Sequence, residues 1–244
     1  MSSWIGRSAR RGIVTSGYPR TAATDDELPA TGRPPLAARL GPSPAAVVDA
    51  CPVGAIGPEA VDQGRCIRCA RCLPHGFAFA GPAEPARATL AELRSPAGAP
   101  PGARPAAAPL GALGRSLHVF LVDVGSCNAC NLEVLALSNP YYDLSRLGVF
   151  FTNSPRHADV LLVVGVPTDA MLEPLRRAYE ALPSPKAVVA VGACAVSGGA
   201  FRGNPGLHDG LAGLVPVDLW VPGCPPAPVQ LLDALLALVG RARG

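Results

Sequence analysis

Aromatic side chains are scarce in this chain, with two tryptophans, four tyrosines and six phenylalanines in 244 residues. That leaves little surface on which bases could stack. Charge is nearly balanced, with Lys+Arg 21 against Asp+Glu 18. A nucleic-acid binder is therefore not expected. No uninterrupted apolar stretch reaches membrane-spanning length, so no direct membrane span is expected. Arg7, Arg10 and Arg11 are not followed by the apolar core of a signal peptide, and twin Arg10-Arg11 lacks the apolar region an export signal needs. The expectation is a cytosolic protein. A glycine-rich phosphate loop is also missing.

Cysteine, by contrast, is plentiful. There are eight, five of them at two-residue gaps (Cys66, Cys69, Cys72, Cys127 and Cys130), which in a cytosolic chain points to metal or cluster sites more than to disulfides. The run His118-Val119-Phe120-Leu121-Val122 reads as a buried strand, and a helical pattern begins near Leu132 and Leu135. Cys127 and Cys130 thus fall on a strand-to-helix turn, at the edge where open α/β sheets bind ligands. Cys194 follows the apolar run Ala187–Val191, and Cys224 follows Leu219-Trp220-Val221. Three strand ends therefore deliver thiols to one edge. Together their thiolates need positive charge, which a 4Fe–4S cluster or a zinc ion supplies. A Cys-x-x-Cys redox pair would leave Cys194 and Cys224 unexplained.

Gly125-Ser126-Cys127-Asn128-Ala129-Cys130, Glu133, Gly192-Ala193-Cys194, Pro222-Gly223-Cys224-Pro225-Pro226 and Arg146–Asp159 resemble one family. It is the small subunits of membrane-bound, energy-converting NiFe hydrogenases, formate hydrogenlyase included, which are similar to the cluster-bearing 20 kDa small subunit of respiratory complex I. Complex I has adjacent cysteines as its first two ligands; here Asn128 and Ala129 separate them, which favours the hydrogenase branch. The resemblance covers about residues 116–240. It implies that Cys127, Cys130, Cys194 and Cys224 ligate a 4Fe–4S cluster proximal to the active site of a large catalytic partner subunit.

A second set lies upstream. Ala46–Ile56, with Cys51-Pro52, resembles the end of a bacterial ferredoxin motif, and Cys66-Ile67-Arg68-Cys69-Ala70-Arg71-Cys72 resembles the start of the next. In two-cluster ferredoxins the Cys-Pro cysteine of one run ligates the other run's cluster. That pairing makes Cys51, Cys66, Cys69 and Cys72 one 4Fe–4S site. The other site is emptied: Gly41, Pro44, Val47 and Gly76 stand where its cysteines would be. A four-cysteine zinc knot is the alternative.

The expected organisation is an extended arm at 1–45, a ferredoxin-like unit at 46–80, a Pro/Ala-rich linker at 81–115 and a main domain at 116–244. Gly12–Pro19 looks like the opening of ferredoxin-like subunits, so the arm is expected to order on a neighbouring subunit. In the linker a short helix around Thr89–Leu93 has capping-box spacing between Thr89 and Glu92, and Pro96 would stop it. In the main domain, continuous apolar runs at 117–122, 149–152, 160–164, 187–191 and 219–221 alternate with helical stretches such as 171–182 and 229–239. That pattern predicts an α/β fold, a flavodoxin-like doubly wound parallel sheet covered on both faces.

The resemblance implies an oxidoreductase subunit with two 4Fe–4S clusters passing electrons to the large subunit, with other iron–sulfur and membrane subunits as partners. The complex would lie on the cytoplasmic side of the membrane. No nickel ligand set, flavin or nucleotide motif is visible, so no substrate chemistry is expected in this chain alone. Glu133 is a candidate proton relay or a helix N-terminal acid favoured by the dipole. Arg156, His157 and Arg202 could tune a cluster, and His75 sits beside the first cysteine turn. Asp123 at a strand end would be explained by burial with a backbone partner. A nickel-free, quinone-linked complex and a zinc-bound scaffold are the alternatives.

Overall fold

The computed structural model describes residues 12, 15–23, 35–37, 45–79, 86–96 and 109–242. Five parallel strands form the centre: β5 (Leu117–Asp123), β6 (Val149–Phe151), β7 (Val160–Val164), β8 (Ala187–Val191) and β9 (Leu219–Val221). Their order across the sheet is β6-β5-β7-β8-β9. Counted from the first strand this is 2-1-3-4-5, the flavodoxin-like arrangement, with its topological switch between β5 and β7.

Every side chain of β7 and β8 is buried. Alternate residues feed two cores. Val160, Leu162, Val189 and Val191 pack with helix α5 (Pro228–Leu238) and with α2 (Ala129–Ala136) on one face. Leu161, Val163, Val188 and Ala190 pack with α3 (Asp169–Ala181) and α4 (Gly192–Ser197) on the other. A fully buried Val or Leu contributes about 1.5–3 kcal/mol, so both faces of the sheet are needed. This is why the strands read as unbroken apolar runs rather than alternating ones. Trp220 and Leu93 lie in the second core, which ties the segment before the main domain to the sheet.

The smaller N-terminal unit has a core of Val47, Ile56, Val61 and Phe77. Helix α1 (Ala45–Ala50) supplies Val47. Strand β1 (Pro35–Ala37) pairs antiparallel with β3 (Phe77–Phe79), and β2 (Ala60–Asp62) pairs antiparallel with β4 (Arg94–Pro96). The region read as a linker is therefore partly built into structure. Leu90 caps a single 3-10 turn, Ala91–Leu93, where the capping-box spacing predicted a short helix. Glu92 Oε2 accepts hydrogen bonds from the Ala88 and Thr89 amides, at 3.1 and 3.4 Å. Arg87 and Trp220 exchange two backbone hydrogen bonds, of 2.9 and 2.8 Å, at the β9 edge of the sheet.

Part of the segment read as an arm also packs on this chain. The Ser16 amide donates to the Tyr141 carbonyl at 2.7 Å. Arg146 Nη2 donates to the Ser16 and Tyr18 carbonyls, both at 2.7 Å. Tyr18 is buried, and its hydroxyl hydrogen-bonds Asp233 on α5. Among the described residues, no helix is long and apolar enough to cross a membrane.

Candidate metal centres

The first centre is built where β5 ends. Asp123 closes the strand, and its carboxylate organises the following turn. Oδ1 accepts from the Gly125 and Ser126 amides at 2.9 and 2.8 Å. Oδ2 accepts from Ser126 Oγ and Asn131 Nδ2, both at 2.6 Å. Partial burial opposes ionisation, but these bonds, the Ser126 hydroxyl foremost, outweigh it and hold the carboxyl below its usual range. Asp123 is exposed, not buried as the strand reading expected; two backbone amides and two side chains explain it. Asn128, left-handed at φ 71°, then turns the chain into α2.

Cys127 lies on this turn, exposed, and Cys130 in the first turn of α2, buried. Cys194 is carried on α4, directly after β8, and is buried; Cys224 follows β9 and is exposed. Gly192 brings them together. Its φ is +83°, and a Cβ there would lie 2.6 Å from Cys130 Sγ and 3.5 Å from the Gly223 carbonyl. The Ala193 amide donates to that same carbonyl at 2.7 Å. The ends of β5, β8 and β9 thus meet at one place.

The thiols act on one another there. Burial pushes Cys130 up to about 12, and Cys194, Cys224, Cys127 and Glu133 add to it. Burial, with Cys224 and Cys127 behind it, pushes Cys194 up to about 11. Cys224, though exposed as a residue, is raised by partial desolvation of its thiol and then by Cys127, with Arg68 opposing. Four sulfur donors whose ionisation is mutually unfavourable fit a cationic group of soft preference, and the glycine leaves room for it. Glu133, half-buried one turn further along α2, is held above the usual carboxylate range by burial.

The second set of thiols lines one pocket, Cys51, Cys66, Cys69 and Cys72 together with Arg68. Amides point at the sulfurs: Ala55 N–H to Cys51 Sγ at 3.2 Å, and Arg68 N–H to Cys66 Sγ at 3.4 Å. Left-handed Arg68 and Ala70, at φ 55° and 65°, fold the loop around the pocket. Burial pushes Cys66 up to about 11; Arg68 opposes, while Cys72 and Cys51 add. Cys72 is raised by burial, then by Cys69 and Cys51. This donor set has the same chemistry as the first. Among the described residues no three His, Cys, Asp or Glu side chains stand close enough to hold a single metal ion.

The two centres are joined. Ser197 Oγ, at the end of α4, donates to the Gly64 carbonyl at 2.9 Å, two residues before Cys66. The other candidates are placed apart. Arg156 and His157 are exposed on the 3-10 turn Pro155–His157, which leads into the amino end of β7, whereas the thiols sit at carboxyl ends. Arg202 pairs with Asp209 at 3.2 Å. His75 is exposed on the 3-10 turn Leu73–His75, after Cys72. Sequence reasoning missed the Asp123–Ser126–Asn131 network and Arg68. The Asp-x-Gly-Ser order, which favours side-chain-to-backbone turns, was a signal for the first; nothing marked Arg68.

Comparison with known proteins bears on the first centre. The family described as NADH ubiquinone oxidoreductase, 20 Kd subunit, matches residues 127–238, which contain all four of its cysteines. A probable membrane-bound hydrogenase subunit mbhJ of Pyrococcus furiosus is 46% identical over 124 residues, 51% of this chain and 74% of its own length. An NADH-quinone oxidoreductase subunit of Desulfovibrio desulfuricans is 40% identical over 141 residues, 57% of this chain and 76% of its own. Formate hydrogenlyase subunit 7 of Escherichia coli is 42% identical over 126 residues, 52% of this chain but only 49% of its own. With the parallel sheet and four cysteines at one edge, this match makes the chain a member of the NADH ubiquinone oxidoreductase 20 Kd subunit family.

Proposed function

We propose that this chain is the electron-transfer subunit of a membrane-associated hydrogenase-like or complex-I-like oxidoreductase, and that it carries two 4Fe–4S clusters. In this reading Cys127, Cys130, Cys194 and Cys224 hold the cluster nearer the catalytic large subunit. Cys51, Cys66, Cys69 and Cys72 hold the other. Bound there, the clusters supply one-electron storage; the protein supplies thiolates, amides toward sulfur and burial, which set the potentials. The 46–80 unit then acts as a built-in donor or acceptor for the 116–244 domain.

The observation that carries the reading is the meeting of three strand ends at Gly192, where a side chain would collide with Cys130 Sγ. The separated Cys127-x-x-Cys130 pair favours a hydrogenase partner over a quinone-reducing one. Leu132 and Leu135 on α2, beside the first centre, are exposed and supply an apolar face for the large subunit. Glu133, between them, is the acid on this chain suited to hold a proton at that boundary. The complex sits on the cytoplasmic side of the membrane, attached through its partners.

Anaerobic iron, zinc and acid-labile sulfide content of the purified chain tests this. About eight irons and eight sulfides are expected for two such clusters. Zinc without sulfide would replace the reading with a structural scaffold.

A further inference from the structure

The loop that carries Cys66, Cys69 and Cys72 starts from a tight turn. Asp62 Oδ1 accepts from the Gly64 amide at 3.0 Å and from the Arg65 amide at 3.3 Å. The Gln63 amide donates to the Leu93 carbonyl at 2.9 Å. The turn's amides are satisfied close by, while the Gly64 carbonyl takes its donor from the main domain, Ser197 Oγ at 2.9 Å.

Ser197 ends α4, a helix of six residues whose other five are buried. A helical serine can turn its hydroxyl back on the carbonyl four residues earlier, and the Ala193 carbonyl lies 3.1 Å from Ser197 Oγ. A hydroxyl has one proton to give, so two carbonyls share it. One is bonded to the Cys194 nitrogen, and the other stands two residues before Cys66. Packing closes the same joint. A Cβ on Gly64 would lie 2.9 Å from Val196 Cγ1, next to Ser197, and 2.9 Å from Leu93 Cδ1. Just beyond Ser197 the chain folds back on the thiol, where a Cβ on Gly199 would lie 3.0 Å from Cys194 Sγ. The Arg87–Trp220 backbone pair also joins the two units, but it touches no residue of the Cys66 loop.

We propose that Ser197 is a positioning residue: its hydroxyl locks the Cys66–Cys72 loop onto the Cys194 helix and so fixes the separation of the two thiol sets. Electron tunnelling falls steeply with distance, so a fixed separation gives a fixed rate. Locked in this way, the 46–80 unit is a built-in redox partner of the main domain rather than a tethered one. This role rests on the two-cluster reading.

The test compares S197A, S197T and G64V with wild type as the anaerobic, full-length chain, with iron content as the control. EPR after full reduction reads the magnetic interaction between two reduced clusters, and C69S, which breaks the N-terminal set, supplies the spectrum without it. Wild type and S197T are expected to share one well-defined interaction. In S197A it should weaken and spread, and in G64V, whose side chain stands against Val196 and Leu93, it should be lost, with about eight irons retained in each. Deuterium exchange of the Arg65–Cys69 amides should quicken roughly fivefold in S197A and stay slow in S197T. An unchanged interaction in S197A at full iron content would overturn the role of Ser197 and leave the two-cluster reading intact, as would S197T behaving like S197A. Loss of iron in S197A would make Ser197 part of one centre and overturn its role between the two. Two wild-type signals without interaction would overturn the fixed separation. Wild-type chain with a single cluster, or with zinc and no sulfide, would overturn the two-cluster reading and this role with it.

Discussion

Cys130 Sγ lies 2.6 Å from where a Cβ on residue 192 would stand, and that residue is a glycine. The close approach lies between the first turn of α2 and the start of α4, two elements far apart in sequence. Gly192→Ala should therefore do two things. A side chain at φ +83° is strained by about 1–3 kcal/mol, and the methyl group must push Cys130 out of the centre. The expected result is a lowered melting temperature and loss of the iron of the C-terminal centre, with the N-terminal centre's iron retained. Full iron retention in G192A would contradict this geometry.

Asp123 folds the Cys127 turn without touching a cysteine. Asp123→Ala removes four hydrogen bonds to a carboxylate; allowing for its exposure, a loss on the order of 1–2 kcal/mol is expected. The pH dependence has a definite sign. The folded-state pKa is lowered, so the contribution is present above the ordinary carboxylate value and is lost as pH falls through the folded one. Melting curves of wild type and D123N should accordingly converge in acid and separate toward neutral pH.

Removing the metal should expose the thiol electrostatics. In the folded, metal-free chain Cys130 and Cys194, pushed up to about 12 and about 11, stay protonated at neutral pH. Iodoacetamide labelling followed by mass spectrometry should find them slower than the exposed Cys127 and Cys69, with rates that climb until pH reaches those values. The linkage runs the other way from that of Asp123: because burial raises these thiols, the metal-free fold keeps its stability below the ordinary thiol value and loses some as pH rises from there toward the raised ones. Equal labelling of all four at mildly alkaline pH would contradict the burial of Cys130 and Cys194.

The N-terminal segment gives a fourth prediction. Arg146 holds the Ser16 and Tyr18 carbonyls at 2.7 Å each. Arg146→Ala should cost about 1.5–3 kcal/mol and open the chain near residue 18 to limited proteolysis. An unchanged cleavage pattern would mean the segment is held by something else.

Much of the main domain was legible because its physics is local. Val160–Val164 and Ala187–Val191 read as strands with the bounds the structure shows, since central parallel strands leave no polar position to blur their ends. Cysteines at strand ends followed from the same runs. What was not legible depends on contacts between distant segments. The capping-box pattern at Thr89–Glu92 foretold a helix, but Leu93 is drawn into the sheet's second core and the chain turns out at once into β4. Asp123 looked like a buried acid because it ends an apolar strand; the turn after it, not the core, satisfies it. Arg68 carries no pattern at all: its left-handed backbone and its place in the pocket of the four N-terminal cysteines arise only in the folded chain.

The measurement that tests the central claim most directly is the pair of variants Cys69→Ser and Cys194→Ser, each analysed anaerobically for iron and sulfide and by EPR after dithionite reduction. If each cysteine set holds its own 4Fe–4S cluster, each variant loses about four irons and one of two signals, and the two losses are complementary. If C69S leaves iron and spectrum unchanged while C194S abolishes both, the chain carries a single cluster and the internal electron path does not exist.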